Sequence, residues 1–161
     1  MAIYALKWSE AGGTGNVVYP DCAGDVVSNK YTIDLSQAPL KGVTLAVGDI
    51  IDLGLIPATM TVTDVTLVAD DLDTNASPTV AFDVGVMSGT PGDTVTARTC
   101  GQEFFAASTI AQAGGVSRMS KATGFRVDPV GSDVSVGLKI TTAAATLATT
   151  GKLDVIVEIK G

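Results

Sequence analysis

The run "KLDVIVEIK" places Leu153, Val155, Val157 and Ile159 on one side and Asp154, Ile156, Glu158 and Lys160 on the other. A side-chain period of two belongs to a strand, because successive Cβ atoms point to opposite faces of a sheet. "PTVAFDVGVM" repeats the pattern with Val80, Phe82, Val84 and Val86 opposite Ala81, Asp83 and Gly85, and "SDVSVGLKI" repeats it with Val134, Val136, Leu138 and Ile140. Weaker candidates are "KYTIDL", "VGDIIDLG", "TVTDVTLVA", "DTVTARTC", "GVSRMSK" and "GFRVDP". Turn residues punctuate them at Pro57, Asn75 to Pro78, Ser88 to Asp93, Gly114–Gly115, Gly124 and Gly131. About eight short strands separated in this way predict an all-β fold, a jelly-roll-like β-sandwich or barrel.

One segment departs from the period. "EFFAASTIAQAGG", Glu103 to Gly115, is alanine-rich and ends in a glycine pair suited to a helix C-terminus, so at most one short helix is expected, there. The first thirty residues lack periodicity, contain the flexible run "AGGTGN", and hold Tyr4, Tyr19 and the only tryptophan, Trp8. Such aromatics are enriched at interfaces. Residues 1–30 therefore read as an irregular arm docking on a neighbouring subunit, the alternative being an arm folded over its own core. Residues 31–161 read as a single sandwich domain. A chain of 161 residues is long enough to bury about 70% of its unfolded surface.

Composition removes several function classes. No apolar run approaches the ~20 residues of a membrane helix, and the start "MAIYALKWSE" carries no basic region followed by an apolar one. Neither a membrane partner nor a secretory signal is expected. A net charge of −7 opposes broad binding to a phosphate backbone, and eight aromatics leave little for a nucleic-acid stacking groove. There is no histidine, and Cys22 and Cys100 form no paired motif, so no zinc site or other cofactor is expected. The cysteines read as reduced, buried small hydrophobes in preference to a disulfide. "GGTGNV" and "SGTPGD" lack the remaining residues of nucleotide loops and read as turns. Without histidine a nucleophile would need another base, and with only three glutamates and few aromatics a sugar-cleaving site is poorly supplied. No enzyme and no small-molecule substrate is expected.

The charges are segregated along the chain. Gly42 to Ala97 holds eight aspartates and no Lys or Arg, whereas Arg98 to Arg126 holds Arg98, Arg118, Lys121 and Arg126 against Glu103 alone. Either these form faces of opposite sign, suited to head-to-tail self-docking, or strands distribute them around one solvated surface. The sharpest acidic feature is "LVADDLDTNASPTV". Asp71, Asp73 and Asn75 match the first ligands of a calcium loop, but Ala76 stands where the turn needs glycine and Phe82 where the closing acid belongs. A different calcium geometry through Asp70, Asp71 and Asp73 stays open. The favoured reading is a turn between two strands, on an acidic face that meets a neighbour's basic segment.

The phrases "GDIIDLGLIPATMTVTDVTLVADDLDT", "FDVGVMSG", "CGQEFFAASTIAQAGG" and "ITTAAAT", spanning Val47 to Thr146, resemble the capsid decoration, or cement, proteins of tailed bacteriophages. The resemblance is one of phrase order and brings no catalytic residues. It implies a jelly-roll-like virion protein, made in the host bacterial cytoplasm, that sits outside the capsid as a homo-oligomer, foremost a trimer. Its partner would be the major capsid protein, whose subunits it bridges. On that view Tyr4, Trp8 and Tyr19 anchor the arm, and Arg98, Arg118, Lys121 and Arg126 face acidic patches such as Asp70, Asp71 and Asp73. The rival expectation is a head or tail fibre component that binds a host glycan.

Overall fold

The computed structural model describes residues 1–5 and 25–161. Among them nine strands form two sheets. One runs in the order β1 (Ile3–Ala5), β3 (Ile50–Ile56), β8 (Val134–Thr142), β5 (Ala81–Met87), β6 (Phe105–Ser108). The other runs β2 (Val26–Asp34), β9 (Lys152–Lys160), β4 (Thr61–Ala69), β7 (Gly115–Arg118). With β1 set aside, the sheets run β2-β9-β4-β7 and β3-β8-β5-β6, successive strands changing sheet at every step but β5 to β6, which is the strand order of a jelly roll. Every pairing is antiparallel except that of β1, which lies parallel to β3 with Ile3 opposite Ile50. β2 begins at Val26, within the stretch assigned to the arm, and Trp8, Tyr19 and Cys22 lie outside the described residues.

Alternation decides which side chains enter the core. In β9 the residues Leu153, Val155, Val157 and Ile159 are all buried, and those between them are partly exposed. They meet Ile51, Leu53, Phe82, Val84, Val136, Leu138 and Ile140 across the sandwich. β3 is buried along its whole length, so its sequence shows no clean alternation. Gly54 there has a specific cause. The Tyr31 ring from the facing sheet lies where a Cβ would sit, and the Tyr31 hydroxyl donates to the Leu55 carbonyl at 3.0 Å. Burial raises that phenol to about 12.

The helix expected over Glu103–Gly115 is absent. The segment forms β6, one 3₁₀ turn at Ile110–Gln112, and the first residue of β7. Helix propensity favours alanine by only a few tenths of a kcal/mol per residue. Pairing with β5 sets Phe105 opposite Val84 and Ser108 opposite Phe82, while Phe104 is buried completely. Burying two phenylalanines outweighs the alanine preference. "DTVTARTC" and "GFRVDP" also fail to form strands: the first is a loop closed by a bridge between Met87 and Cys100, and the second contains a 3₁₀ turn at Gly124–Arg126.

Candidate interaction surface

The charged residues singled out in the sequence separate into buried and exposed groups. Arg98 is 3% exposed and turned inward. Its Nη1 donates to Asp52 Oδ2 at 2.6 Å and to the Asp93 carbonyl at 2.6 Å. Its Nη2 donates to Ser135 Oγ at 3.0 Å and its Nε to the Ser88 carbonyl at 2.8 Å. Asp52 Oδ2 also accepts from Ser135 Oγ and from the Gly92 N–H. Burial pushes the Asp52 carboxyl upward, opposed by Arg98 beside it. Arg98 thus fastens the loop between β5 and β6 to β3 and β8 and presents no charge to a partner.

Asp73 is likewise buried, unlike its neighbours Asp70 and Asp71. Its Oδ2 accepts the N–H groups of Thr79 at 2.7 Å, Val80 at 3.1 Å and Ala145 at 2.9 Å, and its Oδ1 accepts that of Thr146 at 2.8 Å. Burial alone would raise this carboxyl, but those donors together hold it well below the usual carboxylate range. The alternating spacing has a local cause. Asp71 Oδ1 accepts the Asp73 N–H and Asn75 Oδ1 accepts the Ser77 N–H, each acceptor closing a turn two residues onward. Backbone donors therefore fill the carboxylate that a calcium loop would aim at its ion. No group of three or more metal-ligating side chains occurs among the described residues. Addition of a strong calcium chelator should leave the melting temperature unchanged; a drop of more than a degree or two would show that an ion contributes.

The other basic residues lie on one edge. β7 borders the four-stranded sheet, and the chain beyond it continues along β4, with Met119 N–H bonded to the Val65 carbonyl, Val62 N–H to Val127, and Thr59 N–H to Pro129. Arg118, Lys121 and Arg126 all belong to this border. Arg118 is exposed and donates to the buried Asp64, Lys121 donates to the Gln102 carbonyl, and Arg126 is exposed. Interleaved with them are the exposed side chains Val116, Phe125 and Val130, which the sequence reading overlooked. Their signal was present as apolar residues off the period of any strand, at "GVSR" and "GFRVDPVG". Tyr4, in β1, packs partly against the core. Among the expected anchors, the structure therefore strings Arg118, Lys121 and Arg126 along one border, sets Asp70 and Asp71 just past Ala69, where the β7 part of that border begins, and withdraws Arg98 and Asp73 from the surface.

Cys100 is buried beside Ile3, Ile50 and Met87, and burial raises its thiol to about 12, so it stays protonated. Among the described residues the exposed features include a border carrying Arg118, Lys121, Arg126, Val116, Phe125 and Val130 and a tip carrying Asp70 and Asp71.

No protein-family model and no curated protein matches the chain. Solved structures do. A chain from the capsid of Ralstonia phage GP4 is 38% identical with a TM-score of 0.88, over 99% of this chain and 97% of that one. A chain of the cyanophage Pam1 capsid asymmetric unit is 26% identical with a TM-score of 0.66, over 89% and 91%. A chain from the acid-stable capsid of Helicobacter pylori bacteriophage KHP30 shares the fold at 14% identity and a TM-score of 0.52. With more than a third of its residues identical to the first of these along nearly its whole length, the chain belongs to a family of bacteriophage capsid proteins.

Proposed function

We propose that this protein is a decoration protein, made in the host cytoplasm, which binds the outside of a phage capsid as a homotrimer, bridges neighbouring major capsid subunits and stabilises the shell. The observation that carries the reading is the end-to-end similarity to a chain of the GP4 capsid. A physical feature supports an added part over a shell-building one. Among the described residues the core is closed within a single chain by two sheets and needs no partner to complete it. A ligand that binds one state of a shell stabilises that state by mass action, by about 2.7 kcal/mol per site at a hundredfold excess over Kd.

The test uses capsids assembled without this protein. Shells should form in its absence, and purified protein added afterwards should co-sediment with them to a fixed saturating ratio. The temperature at which the shells rupture should rise with occupancy. Shells that fail to assemble without it would make it a building subunit, and absence of saturable binding would end the decoration reading.

A further inference from the structure

β1 lies outside the jelly roll, yet one edge of the sandwich is closely fitted to it. It runs parallel to β3, with Ile3, Tyr4 and Ala5 opposite Ile50, Ile51 and Asp52. Ile3 is 9% exposed and completes a small apolar cluster with Ile50, Met87 and Cys100. Tyr4 turns the other way and packs against the main core. Ahead of them, the Ala2 N–H donates to Asp49 Oδ1 at 2.6 Å and the Ala2 carbonyl accepts the Ile50 N–H at 2.8 Å. Buried Asp49 is itself fixed, its Oδ2 accepting the Ala46 N–H at 2.9 Å. A strand edge, an apolar cup and a carboxylate thus form a socket matched to residues 2–5.

The chain that follows is longer than a return to its own domain requires. β1 points toward the end of the sandwich where β2 begins: Val26 pairs with Lys160, Lys160 pairs with Thr61, and Thr61 follows the end of β3 by a short turn. β2 and β3 also border the same side of the sandwich. Ala5 and Val26 are therefore only roughly 20 Å apart, about four residue rises along the sheet with one strand spacing and one sheet spacing across it. Residues 6–25 join them, a length that extends to about 66 Å. Connections that merely turn back take about 4–6 residues. The surplus lets β1 reach a neighbouring copy while β2 stays in its own sheet.

We propose that β1 is exchanged between copies, so that residues 2–5 of one chain seat on the β3 edge of the next. No new complementarity is needed, because the contact is the one just described with its two sides drawn from different chains. Next to a neighbour held in an oligomer, a chain's own socket and the neighbour's present comparable local concentrations, and the exchanged form links the copies as the closed form does not. Tyr4 then takes the anchoring place expected of it, at a subunit boundary. The inference rests on the oligomeric part of the reading above and is independent of capsid binding.

Covalent capture across the β1–β3 pair tests it. Ile3→Cys with Ile50→Cys, in a full-length Cys22→Ser, Cys100→Ala background, sets two thiols at opposed positions of neighbouring strands, within disulfide range. After oxidation, the denatured and unreduced protein should run mostly as covalent multimers, up to the copy number that native mass spectrometry gives for the wild type. A second capture leaves the buried isoleucines in place: p-benzoylphenylalanine replaces Tyr4, and irradiation should join two chains, with peptide mapping placing the link between residue 4 of one and β3 of the other. An oligomeric wild type whose captures both close within single chains would overturn the exchange and leave the oligomeric reading standing. A wild type that is monomeric in solution and on capsids would overturn both. Loss of capsid binding alone would leave the captured species unchanged and would count only against the decoration reading.

Discussion

Replacement of Arg98 by methionine should cost about 3–5 kcal/mol and lower the melting temperature by about 10 °C. Methionine keeps much of the side-chain volume, so the loss comes from polar groups. Asp52, fully buried, would retain only the Ser135 hydroxyl and the Gly92 N–H, while the Ser88 and Asp93 carbonyls lose their donor. Removing one member of a buried ion pair leaves the other as an uncompensated charge. The pH dependence carries a definite sign. Burial already raises Asp52 above its ordinary value, and loss of the cation raises it further. A carboxyl with a raised folded pKa binds protons more readily in the native state, so the variant loses stability as pH rises above about 4, the ordinary carboxylate range. Its deficit against wild type should therefore be smallest at acid pH. Thermal melts from pH 4 to 8 check this, and Asp52→Leu combined with Arg98→Met should recover most of the loss. A single variant within 1 kcal/mol of wild type at neutral pH would mean that the pair contributes little.

Arg98 also marks where inference from sequence stops. Its partner Asp52 is 46 residues away, and nothing within "DTVTARTC" distinguishes an arginine facing water from one facing a buried carboxylate. The available hint was that it is the first cation after a long acidic stretch, yet that pattern was read as surface charge. β9 was legible because it buries one face and leaves the other partly exposed. β5 and β8 are buried on both faces over most of their length, and were legible because small or polar residues, Ala81, Asp83 and Gly85 in the one and Ser135, Gly137 and Lys139 in the other, separate their large apolar ones. β3 was legible only weakly, since burial on both sides permits apolar residues at every position and close packing against Tyr31 demands glycine. The alanine-rich stretch misled because local propensity pointed to a helix while the two phenylalanines, each needing the core, required an extended chain. The border carrying Phe125 and Val130 was hidden for a different reason. Exposed apolar residues in an irregular segment have no period, and only the fold shows that Val127 and Pro129 run beside β4 and leave their neighbours outside.

Asp73→Asn should be the most damaging change in the acidic tip, lowering the melting temperature by about 10 °C at neutral pH, whereas Asp71→Asn should shift it by no more than about 2 °C. An amide has one acceptor oxygen where the carboxylate has two. Whichever way it turns, its NH₂ group faces either the Thr146 N–H or the cluster of Thr79, Val80 and Ala145 donors. The affected bonds join the β4–β5 tip to the β8–β9 connection, so the damage reaches an open pocket lined by Leu147 and Ala148. The wild-type carboxyl titrates well below the ordinary carboxylate value in the folded state because those four donors favour its anion. A group with a depressed folded pKa stabilises the fold fully above its unfolded value, about 3.9, and loses that contribution as pH falls from there through the folded value. The gap between wild type and Asp73→Asn should thus stay constant from pH 7 to about 5 and narrow below pH 4. Paired melts across that range read the gap directly. A gap that widened on acidification would mean that the carboxyl is held as an acid, and the four N–H donors would need another acceptor.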